Sequence, residues 1–268
     1  MRRFVPTLKG TAVAATLSLG LAVAPVALDG ARAAEGGHEV IHLPDTPFSF
    51  DGIFGTFDRA SAQRGFQVYK EVCSACHSMR QLSYRHLRGL GFNEAQVTAL
   101  ASQVQVQDGP NDNGEMFERP ARPSDRFRRP FQNDAAARAA NNGALPPDLS
   151  VMAKAREGGA DYLHALLVGY EEPPPGVTVA NGMHYNKYFP GHQIAMPAPL
   201  NSDGQVTYAD GTSATVDQMS RDVSTFLAWT AEPEMEQRKA MGVRMIIFLG
   251  ILGGLAYAVK RKVWADVH

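Results

Sequence analysis

Cys73-Ser74-Ala75-Cys76-His77 limits what this chain can fold into more than any other five residues. C-x-x-C-H is the attachment signature of c-type haem. Two thiols add to the two vinyl groups along one porphyrin edge, and a two-residue gap spans that distance. The next residue, His77, then reaches the iron as proximal ligand. A dithiol redox pair needs no following histidine, and structural zinc needs four ligands. The chain has only two cysteines, both in this motif, so a disulfide-built scaffold is excluded. Apolar residues make up 44% of the 268 and charged residues 20%, the balance of a globular domain able to enclose a cofactor.

The residues around the motif read as a haem domain. Ser61–Val72 has helical spacing, with Phe66 and Tyr69 on one stripe and a small Gly65 that would let another helix cross closely. The expected partner is 216–229, with Val216, Met219, Val223, Phe226 and Leu227 on one face. Two terminal helices crossing beside the haem is the arrangement of class I c-type cytochromes. Distal-ligand candidates are Met79, Met116, Met152, Met183, Met196, Met219, His86, His164, His184 and His192. Met196 leads, because Pro197 and Pro199 stiffen its loop and deny it a helix. His192 and Met183 stay open. His86 and His164 read as surface or packing residues. A thioether opposite an imidazole fills both axial positions, which favours outer-sphere electron transfer.

The ends of the chain place it in a compartment. Met1-Arg2-Arg3, an apolar run over 11–24 and Ala31-Arg32-Ala33 read as a signal sequence cleaved after Ala33. Fifteen uncharged residues, Met245–Val259, lie between Arg244 and Lys260. At about 1.5 Å per residue they cover roughly 22 Å, so spanning needs snorkelling cations or a helix that starts near Met235. Lys260-Arg261-Lys262 and Trp264 form a stop-transfer flank. The expected organisation is a signal peptide over 1–33, a periplasmic haem domain over 34–235, an inner-membrane anchor over 236–260 and a cytoplasmic tail over 261–268. Gly250, Gly253 and Gly254 suit close packing against another membrane helix. Residues 34–240 carry 18 Lys+Arg against 25 Asp+Glu, a net −7, which argues against nucleic acid and for a basic docking partner. Glu171, Glu172 and the acid-rich 108–118 are candidates for that face; the basic, Pro-rich 119–129 has no assigned role.

Further stretches carry a resemblance. They are Asn141-Asn142-Gly143-Ala144-Leu145-Pro146-Pro147-Asp148-Leu149-Ser150, Gly158-Gly159-Ala160-Asp161-Tyr162, Gly169-Tyr170, Tyr188-Phe189-Pro190-Gly191 and Ala231-Glu232-Pro233-Glu234 followed by Arg238. With these the chain resembles the cytochrome c1 family of alphaproteobacterial type, the membrane-anchored haem subunits of ubiquinol–cytochrome c reductase (bc1) complexes. The resemblance covers essentially all of the mature chain. It includes the 119-residue gap between His77 and Met196, where the family carries insertions. It implies a mostly α fold: a class I cytochrome c-like haem domain with long insertions, plus one C-terminal transmembrane helix. It implies one haem c bound covalently by Cys73 and Cys76, axial ligands His77 and Met196, and Arg156 and Tyr162 near the haem propionates. The implied partners are a cytochrome b subunit, a Rieske iron–sulfur subunit, a soluble or membrane-tethered cytochrome c as acceptor, and membrane lipid. The subunit itself would move electrons and not catalyse. The rival expectation is a haem c subunit of a terminal oxidase or peroxidase with an exchangeable distal site.

Overall fold

The computed structural model describes residues 41–267; the expected signal peptide lies outside the described residues. Helix α1 (Arg59–Glu71) starts at Asp58, whose carboxylate accepts hydrogen bonds from the Ala60 and Ser61 amides. Ala62, Gly65, Phe66 and Tyr69, at i, i+3, i+4 and i+7, form its buried stripe. Helix α6 (Val216–Ala231) is capped by Thr215 and buries Met219, Val223 and Phe226. Both helices are those expected from the periodicity, α1 starting two residues earlier and α6 ending two later.

The two helices cross at Gly65. A Cβ there would collide with the Asp222 carbonyl oxygen and the Phe226 Cβ, so only glycine permits this approach. Phe226 sits 5.7 Å from the Phe66 ring and 5.8 Å from the Tyr69 ring. Beside them lies Asp222, fully buried. It accepts from Ser61 Oγ at 2.7 Å, from Arg64 Nε at 2.8 Å and Nη2 at 3.1 Å, and from Gln218 Nε2 at 3.0 Å. Burying an unpaired carboxylate in this apolar crossing would be costly; the guanidinium fork and the hydroxyl satisfy its oxygens.

The long segment between His77 and Met196 folds into small elements. A 3-10 helix spans Tyr84–Leu90, followed by α2 (Glu94–Ser102). Strands β1 (Gln105–Asp108) and β2 (Phe117–Pro120) pair antiparallel. Then come α3 (Asp134–Ala140), α4 (Met152–Ala155) and α5 (Gly159–Val168). Helix α5 packs on α6, where Ser220 Oγ donates to the His164 carbonyl at 3.1 Å. A short antiparallel pair, β3 (His184–Tyr185) and β4 (Gln193–Ile194), leads into the Met196 loop.

The last element is α7 (Met235–Val263), 29 residues and about 44 Å long. It exceeds the expected 236–260 at both ends. Only Met235 is buried; Ile246, Phe248, Ile251 and Leu255 are each more than half exposed. A core helix of a soluble domain would hide such a face, so α7 is the single candidate membrane span among the described residues.

Candidate haem-binding site

Helix α1 delivers the motif directly. Its last turn closes with Val72 N–H donating to the Val68 carbonyl, and the chain enters a 3-10 turn over Cys73–Ala75. The amides of Cys76 and His77 both donate to the Cys73 carbonyl, at 3.2 and 2.9 Å, which makes one compact turn of the five residues. Both cysteines are free thiols, Cys73 half-buried and Cys76 exposed. Burial, with Cys76 adding, pushes the Cys73 thiol up to about 12, so it stays protonated at neutral pH.

His77 Nδ1 lies 2.8 Å from the Pro147 carbonyl oxygen. A carbonyl only accepts, so Nδ1 carries the hydrogen and Nε2 keeps the lone pair. Burial lowers the His77 pKa, against the opposing pull of the Pro147 bond and of Asp148. The ring is therefore neutral, oriented and ready to ligate through Nε2.

Asp148, which sequence reasoning left without a role, fixes that carbonyl. Its Oδ2 accepts from Ser78 Oγ and from the Arg80 amide, each at 2.8 Å, and its Oδ1 accepts from the Ser150 amide at 3.0 Å. The Leu149 amide donates to the Ser78 carbonyl at 2.8 Å. Residues 147–150 are thus clamped onto 77–81. Burial raises the Asp148 carboxyl, but these hydrogen bonds outweigh it and hold the group below its ordinary range. An aspartate two residues before a serine is an Asx-turn signal, visible in the sequence but silent about its distant partner.

The distal candidates separate by environment. Met79, Met152 and Met219 are buried members of the apolar core, and Met116 is exposed between β1 and β2. His86 accepts from the Ser83 amide in a capping box. His164 is buried with Nε2 3.0 Å from Asp217. His192 stacks on Tyr185 at 5.7 Å, and its Nδ1 lies 3.3 Å from the Asn186 carbonyl. Met196 follows β4 in a bend, half-buried, and its carbonyl accepts from the Tyr170 hydroxyl at 3.0 Å.

Arg156 and Tyr162 lie close enough to interact electrostatically. Burial raises the Tyr162 hydroxyl pKa while Arg156 pulls it the other way. Burial, with nearby Tyr162 adding, raises the Tyr170 hydroxyl as well. Arg156, Tyr162 and Tyr170 are thus neighbours electrostatically, and the Tyr170 hydroxyl reaches the Met196 backbone. Two free thiols and a neutral imidazole with an uncommitted Nε2 are the donor set that covalent haem requires, so the residues fit the group.

The Cytochrome C1 family model matches residues 48–267. This chain belongs to the cytochrome c1 family. Among relatives, the Cytochrome b/c1 of Bradyrhizobium diazoefficiens is 50% identical over an alignment of 286 residues, covering 97% of this chain. This chain spans only 41% of that protein's length. The Cytochrome c1 of Rhodospirillum rubrum is 46% identical over 258 residues, 90% of this chain and 94% of the relative. "Cytochrome c1-2, heme protein, mitochondrial" of Solanum tuberosum is 51% identical over 225 residues, 84% of this chain and 86% of the relative. All the helices described above fall within the matched range, from α1 to α7.

Proposed function

We propose that this chain carries one haem c and is the electron-transfer subunit of a bc1-type quinol–cytochrome c reductase. In this reading it takes one electron from a Rieske iron–sulfur protein and hands it to a soluble or membrane-tethered cytochrome c. The observation that carries the proposal is the Cys73–His77 turn, with its two free thiols and a His77 ring oriented by Pro147. Bound haem supplies one-electron chemistry between ferric and ferrous iron.

Cys73 and Cys76 would hold the porphyrin as thioethers, His77 Nε2 would be the proximal ligand and Met196 the distal one. The Tyr170 bond steadies the Met196 backbone, and a soft thioether favours the ferrous state. Arg156 and Tyr162 offer a guanidinium and a hydroxyl to the propionate carboxylates. The names "Cytochrome b/c1" and, in Candida albicans, "Cytochrome b-c1 complex catalytic subunit" support assembly with a cytochrome b subunit.

Helix α7 would anchor the haem domain on the periplasmic side of the inner membrane, with the 261–268 tail in the cytoplasm behind Lys260-Arg261-Lys262. The acidic body would steer a basic cytochrome c. Glu171 and Glu172 are exposed and suit that role. The 108–118 and 119–129 stretches partly neutralise each other through the Asp108–Arg119 pair, and Asp125 within the second stretch also pairs with Arg119.

The test is mild-detergent purification with haem staining of a denaturing gel. Covalent stain on this chain and co-purification of a cytochrome b and an iron–sulfur protein are expected. The reduced wild type should not bind carbon monoxide, whereas Met196→Ala should. An unstained chain, or a wild type that binds carbon monoxide readily, overturns the reading.

A further inference from the structure

The residues before α1 form a loop strapped to the first turns of α7. The Thr56 amide closes it by donating to the Ser49 carbonyl at 3.1 Å. Lys239 Nζ donates to the Phe50 carbonyl at 2.6 Å and to the Gly55 carbonyl at 3.1 Å. Glu236 accepts from the Phe57 amide and from Arg59 Nη2, each at 2.8 Å. Behind the loop Phe48 stacks on Phe50 and the tilted Phe57 ring packs on Phe50, each at 5.0 Å. Its tip does the opposite: Ile53 is 69% exposed and Phe54 83%. A gap of about 150 Å³ separates this tip from Ala240 and Val243 of α7.

We propose that the Ile53–Phe54 tip inserts into the headgroup–acyl boundary of the bilayer beside α7, a second membrane contact for the haem domain. Depth along the helix supports lipid as the occupant. Val243 and Ala240 lie two and five residues before Met245, hence about 3 and 7.5 Å above the uncharged run. The polar layer of a bilayer leaflet is roughly 5–7 Å deep. Ala240–Val259 spans 20 residues, about 30 Å, so the turn that the tip faces belongs to the hydrophobic span once Arg244 snorkels. Exposed Arg244 at that level suits anionic phosphate headgroups. A fixed loop with an aliphatic and an aromatic residue at its apex matches that layer, where apolar side chains bury beside cations.

The inference rests on α7 spanning a membrane, and the two fail differently. If α7 does not span, alkaline carbonate strips the chain from membranes. If only the tip is misplaced, the chain stays integral. The test places the photo-crosslinker p-benzoylphenylalanine, close in shape to the native side chain, at position 54 of the full assembly. The assembly is held in nanodiscs of mixed phosphatidylcholine and phosphatidylglycerol. The same label replaces exposed Asp112, between β1 and β2, as a control. After irradiation, mass spectrometry is expected to find phospholipid adducts at 54 at least several-fold above those at 112. Adducts no higher than the control, or a cross-link from 54 to a second polypeptide, overturn the proposal.

Discussion

Replacing Gly65 with alanine tests the crossing on which the haem-binding turn is mounted. In a free helix this change stabilises by about 1 kcal/mol. Here the new methyl meets the carbonyl oxygen and carbon of Asp222 and the Cβ of Phe226, none of which can swing away. The helices must part. Separation strains the Phe66–Phe226 and Tyr69–Phe226 contacts, and overpacking of this kind costs about 1–3 kcal/mol. It also stretches the Ser61 and Arg64 hydrogen bonds to buried Asp222, and losing one bond to a charged group costs about 1.5–3 kcal/mol. After the propensity gain, Gly65→Ala should lose about 1.5–5 kcal/mol, a large share of a typical domain's 5–15 kcal/mol. Guanidinium unfolding of the detergent-solubilised full chain, followed by near-ultraviolet dichroism of the buried aromatics around Phe226 and Trp229, reads this. A midpoint unchanged, or raised by the propensity gain, would refute the close crossing.

Asp148→Ala should free the Pro147 carbonyl and let the His77 ring rotate. The expected result is a broadened low-spin signal in electron paramagnetic resonance and lower haem incorporation, partly restored by Asp148→Asn, which keeps an acceptor oxygen. Arg156→Leu removes a cation beside the expected propionates and should lower the reduction potential by tens of millivolts, at about 59 mV per tenfold change in a one-electron equilibrium; an unchanged potential in redox titration would place Arg156 away from the haem. Burial lowers His164 below its free-solution value, outweighing Asp217. Because the unfolded chain then binds the proton more readily, stability is present above about pH 6.5 and declines as pH falls through that value toward the folded pKa. The unfolding midpoint should therefore drop between pH 7 and 5, and His164→Leu should flatten part of that slope; equal slopes in the two proteins would contradict the assignment.

The sequence by itself determined what is covalent or periodic. C-x-x-C-H names its cofactor because thioether geometry needs that spacing. The stripe on α1, its partner on α6 and the uncharged run of α7 follow from residues three or four apart on one helix. Gly65 was readable as a crossing point for the same reason. Only the tertiary structure decided which distant polar groups meet. Pro147 lies 70 residues from His77, and Tyr170 lies 26 from Met196. The helical stripe marks Met219 as core and the flanking prolines mark Met196 as a loop residue, but nothing in spacing places Met79 and Met152 in the core, because their burial is set by neighbours elsewhere in the chain. Lys239 and the loop it holds are 184 to 189 residues apart. Hydrogen bonds of this kind carry no period and are satisfied by whatever the folded backbone brings within about 3 Å, so a linear pattern cannot encode them.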